Sequence, residues 1–144
     1  WIAFIVLLLG CAMVSVSSNA QSATAGARKL LEENPQINVL VGFNEWSTLG
    51  VGMAIKELGL KERVCAIGFD NNTECVGMLE TGELDTLIVQ NPFSMGYLAV
   101  MNAANILSGK KTESVIKTDV YVVDRSNMFS ADVQKILFGF DKYD

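Results

Sequence analysis

Three apolar runs, each closed by a side chain that makes hydrogen bonds, limit what this chain can become. "INVLVGF" meets Asn44, "RVCAIGF" meets Asp70, and "TLIV" meets Gln90. "INVLVGF" is a run of β-branched and apolar residues, the pattern of a strand buried on both faces, and the other two runs also read as strands. Segments with helical spacing separate them. "AQSATAGARKLLEENPQ" has Ser18 or Asn19 as its cap and stops at Asn34-Pro35, because the residue before proline avoids the helical conformation. "STLGVGMAIKELGL" takes Ser47 or Thr48 as cap and Gly59 as stop, and "TECVGMLETGE" closes at Gly82. "SMGYLAVMNAANILSGK" ends at Ser108-Gly109, "SVIKTDVYVVD" is a last extended run, and "SADVQKILFGF" is one more short helix. Strands alternating with helices of this length make βαβ units, so the expected class is α/β with a parallel sheet.

The alternation has a chemical consequence at the strand ends. Strands of a parallel sheet run the same way, so Asn44, Asp70 and Gln90 collect along one carboxyl edge. Open α/β sheets bind ligands in the crevice outside that edge. A carboxylate accepts from two adjacent hydroxyls, while each amide both donates and accepts. That set fits a neutral, polyhydroxylated molecule such as a sugar. Asp70 alone could be a cap for the helix after it. Three such residues at three consecutive strand ends favour a site.

Composition removes competing chemistries. The 144 residues make about one domain, half of them hydrophobic, with a net charge of −5 and no basic cluster. Nucleic acid is excluded as a partner on that balance. With no histidine, Ser-His-Asp and Cys-His catalysis and most zinc sites are ruled out. Cys11, Cys65 and Cys75 are odd in number and form no CxxC, which implies no disulfide framework. "GVGMA" lies inside a helix instead of a strand-to-helix turn, so it is no dinucleotide loop. "DNNTEC" begins like a calcium loop but has Cys75 where glycine is required. Glu80 and Glu83 flank a helix end at Gly82 and read as a solvated turn. No catalytic residue, metal or cofactor is expected, and the chain reads as a binding protein, not an enzyme.

"INVLVGFNEWSTLGVGMAIKELGL", "VCAIGFDNNTECVGMLETGELDTLIVQNPFSMGYLAV" and "NILSGK" resemble the carboxyl-terminal lobe of type I periplasmic sugar-binding proteins. Ribose- and galactose-binding proteins belong to that family, and the effector domains of lactose-repressor-type regulators share its fold. The resemblance runs over residues 14 to 140. It implies a parallel-sheet, three-layer α/β/α lobe and a bound monosaccharide or similar polyol. By the same likeness, an ABC-type membrane permease is the partner. Asn44 of "GFNEW", Asp70 of "GFD" and Gln90 of "VQNP" occupy the family's ligand-binding positions. Where the family offers an aromatic residue near the start of the first helix, this chain has "SSNAQ", which leaves Asn19 or Trp46 as the further contact. Family members have two lobes and about twice this length, so the expectation is a fragment whose amino-terminal lobe is missing.

The two ends complete the domain reading. "WIAFIVLLLGCAMV" has no charge and is too short to cross a bilayer as a free helix. It has the length of the apolar core of an export signal, and "LLGC" is close to a lipoprotein box in which Cys11 would carry the lipid and anchor the chain to the membrane. A buried strand or helix of the fold is the alternative. The expected division is 1–13 as this signal-like segment, 14–124 as the partial sugar-binding lobe, and 125–144 as a tail crossing to the missing lobe. An exported receptor, periplasmic or lipid-anchored, is favoured over a transcription regulator, which would carry a helix-turn-helix at its start.

Overall fold

The computed structural model describes residues 12–138. Cys11 and the apolar segment before it lie outside the described residues. The described elements run α1 (Ala20–Glu33), β1 (Val39–Val41), α2 (Glu45–Leu58), β2 (Cys65–Phe69), α3 (Thr73–Thr81), β3 (Thr86–Gln90), α4 (Pro92–Leu107), β4 (Val120–Asp124) and α5 (Ala131–Phe138).

Local chemistry sets the helix limits. Asn19 begins α1 by accepting from the Ser22 amide at 2.8 Å. α2 starts earlier than the expected Ser47 or Thr48 cap: Asn44, three residues before Ser47, is the cap, and Ser47 is its reciprocal partner in a capping box. Gly59 and Gly82 stop α2 and α3 with φ of 64° and 89°, a conformation that glycine adopts without steric cost. Asn91 caps α4, where Pro92 fits the first turn because its missing amide hydrogen has no helical partner there.

The sheet order is β1-β2-β3-β4. β1, β2 and β3 are parallel, as the alternation requires, and β4 joins antiparallel to β3. β4 is shorter than the extended run expected from 114 to 124. The fold class is the expected α/β.

Register divides the sheet into two unlike faces. Leu40, Ala66, Leu87, Val89 and Val123 lie on one face and are at most 9% exposed. They join the buried side chains of α2 and α3, including Leu49, Ile55, Val76 and Leu79, in one core, and α1 adds Ala27 and Leu31. The opposite face carries Val39, Val41, Val120 and Val122, which stand 50, 36, 53 and 61% exposed. α4 has no buried residue. Of the three expected layers, the sheet and the helical layer on one side hold the buried core.

The described part of the tail packs on this lobe. Met128 and Leu137 are 2% and 3% exposed in the same core, with Val133 and Ile136 packed against it. The Asn71 side-chain amide donates to the Leu137 carbonyl at 2.6 Å and to that of Ile136. Through residue 138 the tail is docked on this lobe, because its apolar side chains find cover there. Phe129 remains exposed.

Candidate ligand site at the carboxyl edge of the sheet

Register places the candidate residues side by side. Val41 pairs with Ile67, so Asn44 and Asp70 stand level, each three residues beyond the pair. Phe69 pairs with Ile88, which puts Gln90 just past Asp70 on the next strand. Neighbouring strands lie about 4.8 Å apart, so side chains at adjacent strand ends can reach one small ligand. The backbone continues the ladder to this rim: Gly42 donates to the Ile67 carbonyl, and Asp70 donates to that of Ile88.

The three side chains are engaged differently. Asn44 Oδ1 already accepts from the Ser47 amide and hydroxyl, both at 2.9 Å, so its side-chain NH2 is what it can offer a ligand. The Asp70 carboxylate and the Gln90 amide make no hydrogen bond within the described residues. Asp70 does not cap the helix after it. Asn72 does, accepting from the Glu74 amide at 2.8 Å. Asp70 also has φ of 70°, in the left-handed region that asparagine and aspartate tolerate better than most residues. The edge therefore presents a donor, a charged acceptor, and a group that does both.

Thr48 locks this rim from beneath. Fully buried, it accepts from the Phe69 amide at 2.8 Å, and its hydroxyl hydrogen is directed to the carbonyls of Phe69 and Gly42. The first turn of α2 is thus tied to the ends of both β1 and β2.

The outlying candidates are less directly placed. Asn19 spends its side-chain oxygen on capping α1. Trp46 is 43% exposed in the first turn of α2, beside Asn44 in sequence. An aromatic that sequence reasoning missed is Phe43, 71% exposed, with its ring 6.0 Å from that of Phe69 and tilted by 37°. Its signal was present in "GFNEW", where a large aromatic immediately precedes the site asparagine.

Burial and charge converge behind the edge. Cys75 is fully buried, and desolvation pushes its thiol up to about 12, with Glu45, Glu74 and Asp70 adding in the same direction. It is a packed thiol, not a nucleophile. Among the described residues no group of three or more His, Cys, Asp or Glu is placed to hold a metal ion, and no helix is long and apolar enough to cross a membrane.

A larger open depression, about 740 Å³, lies at the other end of the strands and is lined in part by Asn38, Lys61, Arg63, Cys65, Asp85 and Arg125. Its cations are spent on loops: Arg63 donates to the carbonyls of Pro35 and Ile37, and Arg125 donates to Leu84 and Asp85. Both arginines of this depression are thus engaged, whereas the carboxyl edge brings Asn44, Asp70 and Gln90 together at neighbouring strand ends, which makes that edge the better candidate.

Residues 8–111 match the periplasmic binding protein domain family. The chain belongs to that family. A ribose import binding protein of Haemophilus influenzae is 30% identical over 94 residues, covering 65% of this chain and 32% of the relative. The D-allose-binding periplasmic protein of Escherichia coli is 30% identical over 70 residues, covering 49% and 22%. Among solved structures, an ABC transporter solute binding protein from Agrobacterium vitis with bound D-fucose superposes with a TM-score of 0.79 at 29% identity. That match covers 89% of this chain and 44% of the other. A carbohydrate transporter solute binding protein from Agrobacterium radiobacter with D-arabinose gives 0.77 at 30% identity, covering 85% and 41%. This periplasmic binding protein chain spans about a third of the length of the ribose import relative.

Proposed function

We propose that the chain is a sugar-binding lobe of a solute-binding protein serving an ABC-type importer. A monosaccharide or similar polyol is held at the carboxyl edge by Asn44, Asp70 and Gln90. The observation that carries this is the Asp70 carboxylate, which stands level with Asn44 at the rim and accepts no hydrogen bond within the described residues. Paired sugar hydroxyls would satisfy it, with charge-assisted bonds stronger than neutral ones. Asn44 donates, Gln90 donates and accepts, and Trp46 or Phe43 offers an apolar ring face. A second lobe closing over this edge would complete the enclosure. The membrane partner is the permease, and export to the periplasm, with or without a lipid on Cys11, fits that role.

Relatives named for ribose and allose, and solved neighbours holding D-fucose and D-arabinose, support a monosaccharide ligand. Saturation-transfer NMR on the 144-residue chain with D-ribose, D-allose and D-fucose tests this directly, because it detects weak binding to a single lobe. Transfer to at least one sugar that disappears in Asp70→Ala is expected. Absence of transfer to any of them, or equal transfer in Asp70→Ala, would overturn the assignment.

A further inference from the structure

We infer that Glu45 and Asn72 form a clamp that positions the site, holding the Asn44 and Asp70 loops at a fixed spacing. The inference rests on the sugar-binding reading of this edge and names positioning residues beyond it. The Asn72 side-chain amide donates to Glu45 Oε1 at 2.7 Å. This bond joins two loops far apart in the chain. Glu45 is the first residue of α2 and follows Asn44 directly, while Asn72 caps α3 two residues after Asp70. Each partner is itself fixed. Asn72 Oδ1 is held by the Glu74 amide, and Glu45 sits where the positive end of the α2 dipole favours a carboxylate.

The geometry around Asp70 gives the clamp its purpose. A left-handed aspartate is a corner that could relax into several conformations if its flanks were free. Here the flanks are tied. The Asp70 amide bonds to Ile88, Asn71 bonds to the end of α5, and Asn72 bonds to Glu45. The carboxylate is left as the group with no bond in the described residues. That is a preorganised acceptor, and preorganisation raises affinity by removing the ordering cost at the moment of binding. Glu45 and Asp70 also approach one buried thiol from the two sides, each adding to the upward push that burial gives Cys75.

Partner exchange separates positioning from simple destabilisation. Asn72→Asp keeps the α3 cap but sets a carboxylate against Glu45. Pairing it with Glu45→Gln restores a donor–acceptor bond of reversed polarity. Two measurements are made on the 144-residue chain: amide hydrogen exchange at residues 44–47 and 70–74 without ligand, and the NMR-titrated Kd for D-ribose and D-allose. Asn72→Asp should speed exchange in both loops and weaken sugar binding about tenfold, the size expected when a bond to a charged group is lost. The double variant should recover both. Unchanged exchange in Asn72→Asp, or loss without recovery in the double variant, would overturn the clamp. If the clamp variants alter exchange as expected while the unaltered chain binds no sugar, the clamp stands as a tie between loops. Its role in sugar binding is then overturned together with the functional reading.

Discussion

At the residue scale, Asp70 combines a left-handed backbone with the central place in the proposed site. Its φ of 70° costs any side chain with a Cβ roughly 1 kcal/mol, less for Asp and Asn and nothing for Gly. Asp70→Ala should therefore be less stable than Asp70→Gly by about 1 kcal/mol, measured by urea unfolding, while both lose sugar binding. Equal stability of the two would mean that the left-handed turn is absent. Glu83 supplies a pH dependence. It is buried at 8% exposure, and the Thr81 hydroxyl that donates to it is the main cause holding its carboxyl below the ordinary value of 4.5. A depressed folded-state pKa stabilises fully above the unfolded value and loses that contribution as pH falls through the folded one. Thermal unfolding followed downward from about pH 4.5 should show a loss in stability that Glu83→Gln reduces. The same slope in both proteins would remove Glu83 from the account.

At the scale of elements, Thr48 is the joint between helix and sheet. Its hydroxyl serves the Phe69 amide and the carbonyls beyond it, and its methyl group fills the space where a Cβ on Gly68 would lie, 2.2 Å away. Thr48→Val, nearly equal in volume, should cost about 1 to 3 kcal/mol because a buried amide loses its acceptor. Gly68→Ala should also destabilise, since Thr48 is held on both sides and cannot yield. Chemical denaturation checks both, and a neutral Thr48→Val would contradict the joint. The strands and most helix ends were legible in the sequence, because β-branched runs, Gly stops and Asn-Pro are local signals. The start of α2 was not. Ser47 looks like a cap, yet Asn44 takes that place with Ser47 as its reciprocal partner, a choice that depends on geometry three residues apart. The antiparallel direction of β4 and the docking of α5 were also hidden, since both are decided by what the tail finds to pack against. At the candidate site, the placement of Asn44, Asp70 and Gln90 at strand ends could be read directly. The Glu45–Asn72 bond could not, because it joins positions 27 apart.

At the scale of the whole molecule, the described residues cover the sheet on one face and leave it open on the other. Val39, Val41, Val120 and Val122 on the open face, with Val100 and Leu107 on α4 at 70% and 89% exposed, make apolar surface that water disfavours. Among the described residues β1 is also an edge strand, and an edge strand can pair along its open side. The 144-residue chain by itself should associate as its concentration rises, and Val41→Lys with Val122→Lys should suppress this without unfolding the core. Sedimentation velocity would show it, and a concentration-independent monomer would mean that the open face is covered.

The central claim, a sugar held at three neighbouring strand ends, is tested most directly by mapping a ¹H–¹⁵N NMR titration with D-ribose and D-allose onto the chain. The account predicts saturable shifts concentrated at residues 43–47, 69–72 and 90–91, and their loss in Asp70→Asn, which keeps the shape and removes the charge. Shifts centred instead on the depression around Arg63 and Arg125, or shifts that persist unchanged in Asp70→Asn, would contradict it.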